Sequence, residues 1–227
     1  MNTLTLGIPS KGRLMEQAQG LLETSGFTLE RLGTDRGYRG RVLGLENVEV
    51  AFLSASEIAA HLRDGKIDAG ITGQDLLEET IPPDDSDVMI ARRLDFGPAD
   101  VVVAVPDYWL DVARMADLDE VAEQFYVAHG RRLRVATKYA AITRRFFAAK
   151  GVTGYRIVDS AGATEGAPAA GTAELIVDIT TSGATLKANA LKILDDGVIL
   201  KSCAVLALRT SVATDPRIVS MVQAIKP

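Results

Sequence analysis

The stretch Glu174-Leu-Ile-Val-Asp-Ile-Thr-Thr-Ser-Gly-Ala-Thr-Leu186 is an apolar run that delivers one carboxylate into a turn of small residues. Leu175, Ile176, Val177 and Ile179 have the unbroken apolar character of a strand covered on both faces. Asp178 is compatible with such a strand only near the end where it emerges. Past it, Thr180 to Thr185 offer hydroxyls and unobstructed backbone N–H groups. Leu186, Ala190, Ile193 and Leu194 then recur at helical spacing, which predicts a helix over 182–194. Amides at a helix start attract anions. In this reading Asp178 takes ribose hydroxyls, and Thr181, Ser182, Gly183, Ala184 and Thr185 cradle a phosphate. The same residue types also serve ordinary helix capping, so the loop alone leaves both readings open.

A chain of 227 residues that is 47% hydrophobic can bury a large core as one big domain or two small ones. Its net charge of −5, with both signs interspersed, gives no broad electrostatic footprint for nucleic acid or an anionic membrane surface. Any anionic ligand must therefore be held by local groups. The N-terminal residues lack the charged flank and long apolar run of a secretory signal, and no run approaches a membrane span. A cytoplasmic location is expected. The single cysteine, Cys203, excludes a disulfide within the chain, and its apolar surroundings predict a buried, inert thiol. His61 and His129 lack the neighbours of a zinc site or a Ser-His-Asp triad.

Short apolar runs alternate with amphipathic segments, which predicts an α/β fold built on mainly parallel sheet. Strands are expected at 4–9, 48–53, 68–72, 88–93, 101–106, 133–137, 155–159, 175–180 and 198–208. Helices are expected at 12–25, 56–64, 74–80, 109–128, 142–149, 182–194 and 215–225.

Three further strand-to-helix junctions carry polar groups. Pro9-Ser-Lys-Gly-Arg-Leu14 sets Lys11 and Arg13 at a helix start, where the dipole disfavours cations unless an anion bridges them and the amides. Asp68-Ala-Gly-Ile-Thr-Gly-Gln-Asp75 ends a strand in a glycine turn, with Asp75 placed to cap the helix or bond a ligand. In Arg93-Leu-Asp-Phe-Gly97, a plain reading makes Asp95 a turn former and Phe96 a core residue. Arg36, Arg39 and Arg41 crowd a polar, glycine-containing stretch that reads as a solvated turn or a basic arm over phosphates.

The spacing of Glu165, Gly171, Ala173, Ile176, Asp178, Ser182, Gly183, Thr185 and Leu186 resembles the signature segment of ATP phosphoribosyltransferase, the enzyme that opens histidine biosynthesis. The basic loop at Lys11, the Asp-x-Gly-Ile-x-Gly segment, Arg93 to Gly97 and Ala136 to Arg144, with Lys138 and Tyr139, are similar to pieces of the same family. The resemblance covers nearly the whole chain. It implies two lobes of mainly parallel sheet with flanking helices, like those of periplasmic binding proteins, with the chain crossing twice and the active site in the cleft. The first lobe is expected to comprise 1–98 plus 183–227, and the second, with the sugar-phosphate loop, 99–182.

By resemblance, Asp178 and the Thr181 to Thr185 loop hold 5-phosphoribosyl 1-pyrophosphate, and Glu165 faces the cleft in preference to Glu174. Gly73, Asp75, Asp95 and Phe96 border the purine nucleotide, while Lys11, Arg13 and Arg39 stabilise phosphate charge. Mg²⁺ is expected to be bound mainly through substrate phosphates, with no dedicated protein cage. The chain stops soon after the last expected helix, which implies the short form: a homodimer that forms a hetero-oligomer with a regulatory subunit similar to histidyl-tRNA synthetase.

Two departures stand out. Ser54-Ala-Ser-Glu57 replaces the family's Arg/Asp-Ile-Pro pattern, and Ala140 stands where a proline is common. The residues alone leave two rivals: a two-lobed solute-binding protein, and a phosphoribosyltransferase for a free base.

Overall fold

A computed structural model describes residues 2–33, 38–160 and 162–226. The chain divides into two compact units, Met1–Pro98 with Cys203–Pro227, and Ala99–Ser202. In chain order, the first unit begins with β1 (Leu4–Pro9), α1 (Gly12–Thr24), β2 (Thr28–Arg31), β3 (Arg39–Leu43), β4 (Val48–Leu53) and α2 (Ala55–Arg63). It continues through β5 (Ala69–Gly73), α3 (Gln74–Thr80) and β6 (Val88–Arg93). The second unit holds β7 (Ala99–Pro106), α4 (Met115–His129), β8 (Leu133–Thr137), α5 (Ala140–Ala149), β9 (Tyr155–Asp159), β10 (Leu175–Thr180), α6 (Ala184–Ala188) and β11 (Leu191–Ser202). The chain then returns to the first unit as β12 (Ala204–Arg209) and α7 (Pro216–Ala224).

The first sheet has the order β2-β3-β4-β1-β5-β12-β6 and is covered on both faces. Alternation along β12 shows this directly. Ala204, Leu206 and Leu208 join the cluster with Ala18 and Leu22 of α1 and Ile218 and Met221 of α7. Val205 and Ala207 join the one with Ile58, Ala59 and Leu62 of α2 and Leu77 of α3. The α2 side demands glycine in the sheet: a Cβ on Gly70 would lie 2.6 Å from Ile58 Cγ2 and 3.1 Å from the Gly7 carbonyl. Helix α2 starts in a full capping box, Ser54 accepting from the Glu57 N–H and Glu57 from the Ser54 N–H. The departure at residues 54–57 is therefore a helix start. Pro216 in the first turn and the Asp215 carboxylate, which accepts from the Arg217 N–H, open α7.

The second sheet has the order β11-β7-β10-β8-β9. Val101 to Val105 are each at most 1% exposed, as a central strand covered on both faces requires. The Phe147 ring of α5 packs against that of Tyr155, with centroids 4.7 Å apart and planes tilted by 59°.

Several expectations are corrected. Both sheets are mixed rather than mainly parallel: β4, β1 and β5 run parallel, as do β10, β8 and β9, while β12 and β7 run antiparallel to their neighbours. The expected helix over 182–194 is only Ala184–Ala188, because Ala190 turns left-handed (φ 53) and β11 starts at Leu191 to pair with β7. Tertiary pairing overrode the helical spacing of Ile193 and Leu194. The expected strand 198–208 is two strands in different sheets, so the second unit closes at Ser202 rather than at 182. The helix expected from Trp109 starts at Met115, once Ala113 and Arg114 have donated their N–H groups to Asp117. The hairpin of β2 and β3 escaped the sequence reading because its residues are half-exposed and charged.

Candidate functional site

In the second unit the parallel strands β8, β9 and β10 emerge at one end of the sheet, the end where open α/β sheets carry ligands. Lys138 follows β8, Glu165 lies in a short 3₁₀ turn (Thr164–Gly166) beyond β9, and Thr181 to Thr185 follow β10. Asp178 sits three residues into β10, half-buried, with its carboxylate accepting from the Ile179 N–H at 2.8 Å. Its pKa is raised chiefly by burial; the Ile179 hydrogen bond and the Lys138 charge oppose the rise, and the Glu165 charge adds to it. Asp178, Lys138 and Glu165 therefore share one electrostatic neighbourhood. By its sequence Lys138 belongs to a segment similar to a piece of the family, and surface packing explains it nearly as well. It is exposed, with Nζ 4.9 Å from the ring of the buried Tyr139.

The loop after β10 is shaped by its own hydroxyls. The Gly183 N–H donates to Thr180 Oγ1 at 2.8 Å, and the Ala184 N–H to Ser182 Oγ at 3.4 Å. Gly183 has φ +72, and a Cβ there would meet no described residue within 4 Å. Backbone conformation, not crowding, thus selects glycine, and the space beside the loop is open. Thr181, Ser182, Ala184 and Thr185 are all exposed. With α6 only five residues long, an anion placed here would be held by local N–H groups and hydroxyls more than by a helix dipole.

Glu174, at the other end of β10, has a different role. Its carboxylate accepts from the Arg134 guanidinium, from Arg131 and from the Arg134 N–H. Burial alone would raise its pKa, but these bonds hold it at about 2. Glu174 ties the start of β10 to β8.

In the first unit, β1, β4 and β5 run parallel, and β6 has the same direction because both β5 and β6 are antiparallel to β12. The Lys11–Arg13 loop, Ser54, Gly73 to Asp75, and Asp95 to Phe96 consequently emerge at one end of this sheet. Lys11 and Arg13 are exposed, Lys11 is the N-cap of α1 without a side-chain cap bond, and no acid lies in the first turn. The Lys11 charge reaches Glu57, one of the causes that lower that carboxyl's pKa after the hydrogen bonds from Ser54. Phe96 packs against the core, its carbonyl accepting from the Ala204 N–H, while Asp95 is exposed.

Asp75 is only 5% exposed, and a Cβ on Gly73 would clash with its Oδ1, so the carboxylate folds back over the turn. Beside it Gln74, 7% exposed, donates from Nε2 to Glu78, while its buried Oε1 has no partner among the described residues. Sequence reasoning passed over Gln74, and only its burial singles it out. Arg39 opens β3 instead of standing on an arm, and it pairs with Glu49 at 3.6 Å on the exposed face. Arg36 lies outside the described residues.

Residues 54–227 match the family model of ATP phosphoribosyltransferase. The chain belongs to that family. An ATP phosphoribosyltransferase of Chelativorans sp. (strain BNC1) is 56% identical over 221 residues, 96% of each chain. One from Rhodopseudomonas palustris (strain BisB18) is 61% identical over 197 residues, covering 87% of this chain. The chain thus spans about 61% of the length of that longer relative.

Among solved structures, the ATP phosphoribosyl transferase (HisG:HisZ) complex from Thermotoga maritima contains a chain that is 26% identical with TM-score 0.75, over 98% of this chain and 96% of that one. The fold, though nothing about ligands, is also shared with a periplasmic amino-acid-binding protein from Silicibacter pomeroyi (TM-score 0.56, 16% identity, 98% and 89% coverage). This family member has no helix, among its described residues, that is long and apolar enough to cross a membrane.

Proposed function

We propose that this ATP phosphoribosyltransferase family member transfers the phosphoribosyl group of 5-phosphoribosyl 1-pyrophosphate to N1 of ATP, releasing pyrophosphate, as the first step of histidine biosynthesis. The observation that carries the reading is the loop from Asp178 to Thr185: a half-buried carboxylate beside exposed hydroxyls and an open left-handed glycine, in a chain of this family. Adenine N1 brings its own lone pair, so no strong general base is needed. The N1–C1 bond forms as the C1–O bond to pyrophosphate breaks, and the protein's work is orientation and charge stabilisation.

In this reading Thr181 to Thr185 hold the 5-phosphate, Asp178 takes the ribose hydroxyls, and Glu165 and Lys138 tune the charge around it. Gly73, Asp75, Asp95 and Phe96 border the purine nucleotide, and Lys11, Arg13 and Arg39 serve the phosphates. Arg39 would have to leave its weak, exposed pairing with Glu49 to do so. Among the described residues no group of three or more His, Cys, Asp or Glu side chains gathers around one point. A divalent cation, Mg²⁺ in this proposal, would be carried by phosphate oxygens and water, where it neutralises charge on the two polyanions.

The subunit is proposed to be a cytoplasmic homodimer that joins a regulatory partner. The similarity along almost the whole chain to a subunit of the Thermotoga maritima complex supports the partner.

The test is incubation with ATP, the pyrophosphorylated sugar and Mg²⁺, following near-ultraviolet absorbance, with and without the partner subunit. ATP-dependent product is expected. No product in either arm, or consumption of a free purine base instead of ATP, would refute the reading.

A further inference from the structure

From Arg131 to Val158 the sequence carries eight Lys or Arg residues and no Asp or Glu, in a chain whose net charge is −5. Part of this charge is answered within the fold: Arg131 and Arg134 pair with Glu174, and Lys150 with Asp196. Arg132, Arg144 and Arg156 are exposed, and among the described residues no ion pair joins any of them to a carboxylate. All three line a groove of about 460 Å³ whose lining includes Val152, Tyr155 and Ile157 and, among the described residues, no acidic one. Like charges facing one hollow repel one another, and an anionic occupant would relieve that repulsion.

The groove follows the edge of the second sheet. Among the described residues β9 is the last strand of the sheet and pairs with β8 alone. The Gly154 carbonyl accepts from the Leu133 N–H, and the Ser160 N–H donates to the Thr137 carbonyl. Alternate residues of a parallel strand bond to the same neighbour, so Gly154, Arg156, Val158 and Ser160 face β8, and Tyr155 and Ile157 turn their N–H and C=O groups to the open edge. Those two also line the groove. Backbone donors and acceptors, an apolar floor and a cationic rim therefore run side by side.

We propose that this edge is a docking surface for an extended, carboxylate-rich segment of another protein, which adds as a strand beside β9 while its acidic side chains meet Arg132, Arg144 and Arg156. A second copy of β9 is a poor occupant, because it would set arginine against arginine. Past Arg132 the surface passes into a concavity lined by Asp119 and Glu123, which limits how far an acidic segment extends in that direction.

The probe is a fluorescein-labelled nonapeptide alternating glutamate and valine, titrated with the full-length protein while anisotropy is read at low salt; its control replaces each glutamate with lysine. The acidic peptide is expected to bind, to bind about ten-fold more weakly to the Arg132→Gln/Arg144→Gln protein, and to slow amide exchange at Ile157. Circular dichroism of the variant, whose two changes are at exposed positions, separates lost binding from lost fold. No binding at about 1 mM protein, or equal binding of both peptides, overturns the proposal. So does displacement by inorganic pyrophosphate with no slowing of exchange at Ile157, which would make the groove a site for small anions.

Discussion

Replacing Glu174 with Gln should destabilise the second unit in a pH-dependent way. The carboxylate is 11% exposed and accepts from Arg134 at 2.6 to 3.2 Å, with Arg131 adding two bonds at 3.1 and 3.2 Å. Held at about 2 in the fold against an ordinary 4.5, it corresponds to about 3 kcal/mol of linked stability above pH 5. Screening at Arg131, whose side chain is 41% exposed, reduces the expected loss in the Gln variant to about 2 kcal/mol. The sign follows from a folded pKa depressed below the unfolded one: the contribution is complete above about pH 5 and is lost as pH falls toward 2.

The single tryptophan, Trp109, lies in this unit and reports its unfolding in urea. At pH 7 the midpoint should fall by about 1 M, and the gap in stability between the two proteins should narrow by about half between pH 5 and pH 3. Equal midpoints at pH 7, or a gap that does not change with pH, would refute the assignment of Glu174 as the charge that fastens β10 to β8.

Asp178→Asn should lower kcat/KM by about a hundred-fold with circular dichroism unchanged, since a hydrogen-bonding charge is lost at the sugar. Because burial raises the Asp178 pKa, the acid limb of the wild-type pH–rate profile should fall at a pH above the ordinary value of 3.8, and the Asn protein should lose that limb. Gly183→Ala meets no neighbour but forces a positive φ, so it should cost about 1 kcal/mol in thermal stability and raise KM for the pyrophosphorylated sugar more than for ATP. Ser54→Ala removes one half of the α2 capping box and should cost about 1 kcal/mol by urea denaturation, with kcat/KM unchanged.

Much of the fold was written in local pattern. The runs of β1, β4, β6, β8, β9 and β10 were legible with their bounds because apolar and β-branched residues between turn residues leave a simple signature, even in β6 and β9, where no residue is fully buried. The strand-to-helix junctions bearing Lys11, Gly73 and Asp178 were legible for the same reason: glycine, hydroxyl and charged residues interrupt apolar runs where the chain turns. The hairpin of β2 and β3 was not, since one face of it is open and its residues look like a solvated loop.

Between Ser182 and Leu208 the local pattern misled. Leu186, Ala190, Ile193 and Leu194 have helical spacing, yet pairing with β7 draws 191–202 into a strand, because backbone hydrogen bonds to an existing sheet edge outweigh a weak propensity. The sequence by itself determined the α/β class, the strand-to-turn junction that carries Asp178 to Thr185 and the family. Only the tertiary structure decided that Asp178 shares its field with Lys138 and Glu165, that Glu174 is committed to Arg134, and that three arginines line one strand edge. Those facts depend on which strands lie side by side, and strand order is set by contacts between residues far apart in the chain, which no local pattern records.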